Sequence, residues 1–379
     1  MIYFDNAATG GRKPSQVLSA VSSAIQLCAN PGRSGHKLSL SCANLVQDCR
    51  RALNDFFGGF GFDRVIFTKN CTEALNIALF GVLKKGDHVV ASCMEHNSVL
   101  RPLEALKNAG VITYDICPLQ GDPQNGNANL SATDIAKLIK PNTRLVAVTS
   151  AANVTGTVPD LVAIRKILPK HTLFLCDGVQ GGGHLQLKMK EIGIDLLALA
   201  GHKGLLGIQG SGALLFSDRV DPSPVLYGGT GSLSISLDMP DFYPDRLESG
   251  TLCFPAIVSL LEGVRYLTLH AKQTQSRLLM LSAYFLNGLC GLGTYTPYSK
   301  PNSCGIATFA HSSLPSEWLA DVLSTRYDIA VRGGLHCAPL MHRALGTEED
   351  GLVRVSFSHF NSEREIDVLL SALQEISAM

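Results

Sequence analysis

The chain has 379 residues, more than a single hydrophobic core usually holds, so two lobes are expected. Basic and acidic residues number 32 each, so no net charge favours a nucleic acid or an anionic membrane as a partner. Eleven cysteines without a CxxC spacing favour a reducing cytoplasm, and neither a signal peptide nor an apolar run near about 18 residues is expected.

Seven short runs rich in valine, isoleucine and leucine predict β-strands. They are 64–68 (RVIFT), 88–92 (HVVAS), 111–116 (VITYDI), 144–150 (RLVAVTS), 172–176 (TLFLC), 195–200 (DLLALA) and 212–216 (GALLF). Helical signals lie between several of them, as in 70–86, where Asn70 and Glu73 fit a capping box and Gly86 fits a stop. Strands that alternate with helices predict an α/β fold with a mostly parallel sheet.

The pattern changes after about residue 255. A long helical stretch at 254–289 is followed by an α+β pattern that includes a strand at 352–357 and a last helix opened by Ser362 and Glu365. We therefore predict a large α/β domain over 20–255 and a smaller α+β domain over 256–379. The N-terminal segment 1–19 is expected to return to the small domain near the active site.

Polar residues follow five of the predicted strands. These strand ends are 68–73 (TKNCTE), 95–97 (EHN), 152–153 (AN), 177–180 (DGVQ) and 201–203 (GHK). Ligands of open α/β sheets bind beyond the carboxyl ends of the strands, so these residues are predicted to form one composite pocket.

Lys203 and Asp177 carry the strongest chemical signal in this pocket. Lys203 follows an apolar strand and is flanked by glycines, and burial would lower its pKa and make it a nucleophile, although a lysine in a surface loop is the simpler reading. Asp177 ends a buried strand and needs a cationic partner. A lysine that binds a carbonyl and an aspartate that pairs with a pyridinium nitrogen together predict pyridoxal 5′-phosphate.

Other strand-end residues would complete a site for that cofactor. Cys71 and Thr72 begin a helix, where free amides favour a phosphate, although plain helix capping explains them equally well. His96 could stack on the ring or be an ordinary loop histidine. Asn153 and Gln180 could contact the phenolic oxygen of the cofactor or satisfy buried backbone groups.

The sequence resembles the class V aminotransferase-fold enzymes, and among them the cysteine desulfurases and selenocysteine lyases. The matching motifs include YFDNAATG (3–10), RSGH (33–36), TKNCTEALN (68–76), EHNSVLRP (95–102), AGHKG (200–204), ESGTLC (248–253), RGGLHCA (332–338) and VRVSFSHFN (353–361). The resemblance implies a homodimer of fold type I with a seven-stranded large domain and bound pyridoxal phosphate. It covers nearly the whole chain.

The resemblance also implies roles for individual residues. Cofactor binding would fall to Cys71, Thr72, His96, Asn153, Asp177, Gln180, His202, Lys203 and, from the other subunit, Thr251. Substrate binding would fall to Arg354, Asn153, Arg332 and His36, and catalysis to Lys203, Cys337 and His96. Ala200 is a departure, because many relatives have a hydroxyl there that contacts the phosphate.

Cys337 distinguishes this sequence from most class V relatives. RGGLHCA resembles the short catalytic loop of one desulfurase group, and its neighbours lack the spacing of a zinc site, but a structural thiol remains the alternative. The expected reaction releases alanine from L-cysteine and leaves a persulfide on Cys337, which passes the sulfur to an acceptor. Arg332 and His336 are expected to favour the thiolate.

Three other functions remain open from the sequence. A selenocysteine lyase would use the same pocket, and a class V aminotransferase would use it without the thiol. A non-enzymatic scaffold would be expected to lack Lys203, Asp177 or Arg354, and all three are present.

Overall fold

The computed structural model describes residues 1–27, 29–32, 34–122 and 126–378. Its strands are β1 (Ile2–Tyr3), β2 (Val65–Thr68), β3 (Asp87–Ser92), β4 (Ile112–Cys117), β5 (Thr143–Thr149), β6 (Leu173–Asp177), β7 (Leu196–Ala200), β8 (Gly212–Phe216), β9 (Tyr295–Pro297), β10 (Ile306–His311), β11 (Ile329–Ala330) and β12 (Val353–Ser356). Its helices are α1 (Ser15–Gln26), α2 (Lys37–Phe57), α3 (Cys71–Val82), α4 (Asn97–Asn108), α5 (Ala132–Leu138), α6 (Leu161–Ile167), α7 (Met189–Ile192), α8 (Phe254–Cys290), α9 (Ser316–Tyr327), α10 (Pro339–Leu345) and α11 (Glu363–Ser377).

All seven predicted apolar runs are strands of one sheet, with ends shifted by one residue at most. The strand order is β2-β8-β7-β6-β5-β3-β4. The pairs from β7 to β4 are parallel, whereas β8 is antiparallel to both of its neighbours, β2 and β7. The predicted α/β class with a mostly parallel sheet is confirmed.

The sheet is apolar on both faces because helices cover both. Val90, Val146 and Leu197 face a core that α2 and α8 share, whereas Val89 and Leu145 face a core built with α3 and α4. Strands buried on both sides read as continuous apolar runs, and this is why the sequence revealed them. The polar strand ends are the exception, so they mark the ligand-binding edge.

The N-terminal segment lies against the C-terminal third of the chain. Strand β1 pairs in parallel with β11, and Asp5 forms an isolated bridge with Ser356 at the end of β12. Phe4 packs edge-on against Phe357 in the core beneath the sheet β12-β10-β9. The division into domains at 19 and 255 stays a prediction.

The long helix α8 follows the break in pattern noted near residue 255 and spans Phe254–Cys290. Charged residues interrupt it, and no helix within the described ranges is long and apolar enough to cross a membrane.

Candidate active site

One cavity collects residues from all five polar strand ends. It encloses about 540 Å³ of empty space, counting its open mouth. Its lining includes eight of the predicted site residues: Cys71, Thr72, His96, Asn153, Asp177, Gln180, His202 and Lys203. The prediction of a composite pocket is confirmed in its geometry, while the role of each residue stays a prediction.

The N-terminus of α3 opens onto this cavity. The side chain of Asn70 accepts a hydrogen bond from Glu73 N at 2.9 Å, so Asn70 caps the helix as predicted. The predicted capping box is incomplete, because the Glu73 carboxylate accepts from Lys69 N at 2.6 Å and not from Asn70 N. Helix α3 ends at Val82, before the predicted stop at Gly86. The first amides of a helix have no acceptor within it, so those of Cys71 and Thr72 offer an anion site.

Lys203 lies at the cavity in a loop that directly follows β7. Burial lowers the pKa of Lys203 to about 8, and the positive charge of Arg354 adds to the effect. An amine with this pKa is partly neutral near pH 7, which a nucleophile or a proton carrier needs. The sequence predicted this shift from the apolar strand and the flanking glycines.

Asp177 is the last residue of β6 and is 4% exposed. Its carboxylate accepts from Val179 N at 3.0 Å and from the Cys71 thiol at 3.8 Å. Burial raises the pKa of Asp177, although the hydrogen bond from Val179 N and the positive charge of Lys203 oppose the rise, and no cation within the described ranges forms an ion pair with the carboxylate. A protonated ring nitrogen would supply the missing positive charge.

Two histidines at the cavity are neutral. Burial lowers the pKa of both His96 and His202 to about 4, and the charge of Lys203 acts in the same direction. His96 caps α4, with its Nδ1 accepting from Ser98 N at 3.0 Å, and His202 Nδ1 lies 3.0 Å from the Thr9 hydroxyl. Neutral imidazoles suit stacking and hydrogen bonding better than charge pairing.

Asn153 connects the cavity to two other predicted site residues. Its carbonyl oxygen accepts from Nη1 of Arg354 at 3.0 Å, and its side-chain Nδ2 donates to the carbonyl of His336 at 2.7 Å. Its Oδ1 is buried and has no hydrogen-bond partner among the described residues. Gln180 instead donates its amide to the carbonyl of Ala7 at 3.2 Å.

Arg354 lies on β12 and is 1% exposed. Side chains alternate along this strand, because Val353, Val355 and Phe357 enter the hydrophobic core while Arg354 faces away from it. Its Nη2 lies 3.0 Å from the carboxylate of Asp5, and its buried Nε has no hydrogen-bond partner in the part of the chain that the structure describes. A planar guanidinium with unused donors suits a carboxylate ligand.

Cys337 is exposed in the loop that precedes α10. Nη2 of Arg332 lies 3.9 Å from its Sγ and places a positive charge beside the thiol. His336 was expected to favour the thiolate as well, but it adds no second positive charge, because burial lowers the pKa of His336 to about 2. Among the described residues, no cluster of three or more His, Cys, Asp or Glu side chains could hold a metal ion.

Five of the predicted residues do not line the cavity: Arg332, Cys337 and Arg354, described above, and Thr251 and His36. Thr251 is exposed and lines a separate cavity with Lys69 and Leu226. His36 is exposed at the start of α2, where its Nδ1 accepts from Ser39 N at 3.2 Å. Arg33 of the same RSGH motif lies outside the described residues. A role for Thr251 or His36 in this site requires a second subunit.

Three residues of the site region were not assigned from the sequence. Asp5 holds Arg354, and the hydroxyl of Ser98 lies 2.9 Å from that of Thr72. Glu95 is fully buried, and its Oε1 accepts from Thr149 N at 2.8 Å. Asp5, Ser98 and Glu95 all lie in motifs that carry the resemblance, so those motifs were the available signal.

The fold and the cavity define the fold type I class of pyridoxal-phosphate-dependent enzymes. A seven-stranded, mostly parallel sheet brings a lysine, a buried aspartate and a helix N-terminus to one edge. The chain belongs to the class V aminotransferase family, because the family profile described as Aminotransferase class-V matches residues 2–369. Enzymes of this family depend on pyridoxal phosphate, so the class predicted from the sequence is confirmed.

Similar proteins point to one branch of this family. The chain is 31% identical to a probable cysteine desulfurase of Methanothermobacter thermautotrophicus, over 100% of this chain and 95% of the relative. It is 30% identical to a probable cysteine desulfurase of Pyrococcus abyssi, over 99% and 94%. The solved apo structure of a cysteine desulfurase from Thermococcus onnurineus NA1 is 29% identical, with a TM-score of 0.89 over 100% of this chain and 95% of that one.

Proposed function

We propose that this protein is a cysteine desulfurase, which converts L-cysteine to L-alanine and receives the sulfur as a persulfide on Cys337. The contacts of Asn153 carry the proposal. This residue lines the cavity, holds Arg354 through its carbonyl oxygen and holds the Cys337 loop through its side chain. A cofactor site, a carboxylate clamp and a thiol thus converge on one residue.

The cavity residues fit pyridoxal phosphate. Lys203 would hold the carbonyl carbon, Asp177 the ring nitrogen, and the amides of Cys71 and Thr72 the phosphate, with His96 beside the ring. The unpartnered Oδ1 of Asn153 supports the fit, because a buried polar atom without a partner points to a missing ligand. When bound, the cofactor supplies an electron sink that weakens bonds at the α-carbon of an amino acid and its adjacent C–S bond.

Arg354 and Lys203 would prepare the substrate. Arg354 would bind the carboxylate of cysteine through donors that the protein leaves unused, and this fixes the orientation of the α-carbon. The Lys203 amine, whose pKa burial lowers to about 8, would take up the α-proton and return one during turnover. Neutral His96 keeps the surroundings of the substrate free of a further positive charge.

Cys337 would accept the sulfur. Its thiolate attacks the sulfur of bound cysteine, so that an S–S bond forms while the C–S bond breaks with its electron pair left on carbon. That carbon takes up a proton to give alanine, and the transferred sulfur remains on Cys337. No external oxidant or reductant is required. The guanidinium of Arg332, with Nη2 3.9 Å from the Cys337 Sγ, would place a positive charge beside the attacking sulfur.

A homodimer would complete the site. Three side chains in the segment between β8 and α8 are at least 57% exposed although they are apolar: Leu233, Ile235 and Leu237. Exposed apolar patches of this kind mark contacts with other chains. Thr251 lies in the same segment, so a second copy could bring it to the phosphate of the first.

We also propose that the protein acts in the cytoplasm and passes its sulfur to an acceptor protein or a small thiol. All ten cysteines in the described ranges are free, which suits a reducing compartment. The exposure of Cys337 leaves a persulfide accessible to an acceptor, and this favours sulfur transfer over simple release of sulfide or selenide.

The test is a visible absorbance spectrum followed by incubation with L-cysteine. We expect the absorbance of lysine-bound pyridoxal phosphate, alanine as the product, and a persulfide on the peptide that contains Cys337. Cys337→Ala should keep the spectrum and lose the persulfide, whereas Cys290→Ala, at another exposed cysteine, should change neither. Undiminished sulfur transfer by Cys337→Ala, or faster turnover of selenocysteine without need of Cys337, would contradict the proposal.

A further inference from the structure

The turn that carries Cys337 has a backbone that its residues disfavour. Leu335 O accepts from Ala338 N at 3.0 Å, and the two central residues, His336 and Cys337, have φ values of 51° and 58°. Positive φ at both central positions is the pattern of a type I′ turn, which glycine, asparagine and aspartate usually occupy. Positive φ is uncommon for residues other than glycine, and cysteine, unlike histidine, is not among the residues enriched there, so contacts from outside the turn help to hold it.

Both central carbonyl groups receive such a contact from the far side of the site. Asn97 N donates to the carbonyl of Cys337 at 2.8 Å, and Asn153 Nδ2 donates to the carbonyl of His336 at 2.7 Å. Asn97 is the first residue of α4, so its amide has no acceptor within the helix. The two donors follow β3 and β5, whose positions the sheet fixes.

We infer that Asn97 and Asn153 are positioning residues that hold Cys337 in its strained turn before substrate arrives. The inference deepens the proposed function and rests on it. Asn97 acts through its backbone amide and Asn153 through its side chain. A thiol fixed in this way would meet the substrate sulfur without an ordering step, whereas a loosened turn would spread the thiol over many positions.

Substitutions at Asn97 test the inference in the cofactor-loaded enzyme. Asn97→Pro removes the backbone donor together with the asparagine side chain, and proline suits the first position of a helix after a residue as extended as His96, whose φ is −70° and ψ 156°. Asn97→Ala keeps the donor and is the matched control. We expect kcat of Asn97→Pro to fall on the order of ten-fold or more, with KM for cysteine and the cofactor spectrum unchanged.

Hydrogen exchange provides the second measurement and needs no variant. In the wild-type holoenzyme, the Asn97 amide should exchange slowly despite its place at a helix start, because Cys337 O covers it. In Asn97→Pro, exchange of residues 335–338 should rise, whereas in Asn97→Ala it should match the wild type.

The outcomes separate this inference from the proposed function. A fast-exchanging Asn97 amide, or an Asn97→Pro enzyme with wild-type kcat, would overturn the positioning role while the desulfurase stands. A wild-type enzyme that forms no persulfide from cysteine would refute the proposed function, and slow exchange at Asn97 would still establish the anchored turn.

Discussion

The carboxylate of Asp5 lies 3.0 Å from Nη2 of Arg354, so a residue of the N-terminal segment holds the predicted substrate clamp. The side chain of Arg354 is 1% exposed and that of Asp5 is 22% exposed, so solvent screens the pair only in part. Asp5 neutralises a buried guanidinium and fixes its orientation, while Nε has no hydrogen-bond partner within the described ranges. The predicted clamp therefore combines a residue of the N-terminal segment with a residue of β12.

Replacement of Asp5 should destabilise the fold. Asp5→Asn leaves the buried guanidinium without a counter-charge, and we expect a loss of roughly 2 kcal/mol in the free energy of unfolding, below the full value for a buried pair because Asp5 is partly exposed. Urea unfolding of Asp5→Asn beside Asp241→Asn, at an exposed aspartate, measures the effect. Equal stability of the two variants would show that the ion pair contributes nothing.

Glu95 should make stability depend on pH. Its carboxyl group accepts from Ser92 Oγ at 2.5 Å and from Thr149 N at 2.8 Å, and burial raises the pKa of Glu95 from 4.5 to about 8. Between these values the folded protein keeps a proton that the unfolded chain releases. Each pH unit from 4.5 to about 8 therefore lowers the free energy of unfolding of the wild type by about 1.4 kcal/mol through this group. There is no further loss above pH 8.

Glu95→Gln tests this pH dependence, because an amide cannot ionise. The variant should become more stable relative to the wild type as pH rises from 5 to 8, and the difference should be constant above that range. Urea unfolding at several pH values gives the curve, with the exposed Glu349→Gln as the control. A difference that does not vary with pH would mean that Glu95 is ionised in the folded protein.

Ala200 should limit retention of the cofactor. This residue ends β7 and lines the cavity, and it lacks the phosphate-contacting hydroxyl that the family resemblance leads us to expect there. Ala200→Ser would add one donor to the phosphate, and a hydrogen bond worth about 1 kcal/mol corresponds to roughly five-fold slower loss of cofactor on dialysis. The exposed Ala109→Ser is the control. Unchanged loss would indicate that the phosphate lies away from β7.

The sequence predicted the sheet and most of the cavity because their signals are local. Each strand is a short apolar run, and Lys203 and Asp177 stand directly after or at the end of such a run. Ligands of open α/β sheets bind beyond the carboxyl ends of the strands, and this rule predicted that these residues lie together. The cap of α3 by Asn70 is equally local, and it too was predicted correctly.

Contacts between distant segments were not predictable in the same way. Asp5 pairs with a residue 349 positions away, and no local pattern announces that partner. Positive φ values at two successive residues other than glycine are uncommon, and at His336 and Cys337 the contacts from Asn97 and Asn153 offset the local cost. His336 was expected to favour the thiolate of Cys337, but burial in the fold lowers the pKa of His336 to about 2.

Pairing of β1 with β11 and of Asp5 with Arg354 has a consequence for biosynthesis. A ribosome makes residues 2–5 well before their partners at 329–330 and 354, so Asp5 waits while the 349 positions up to Arg354 are synthesised. The sheet residues between them can fold earlier. The arginine clamp should therefore be the last part of the site to form, after the cofactor cavity already exists.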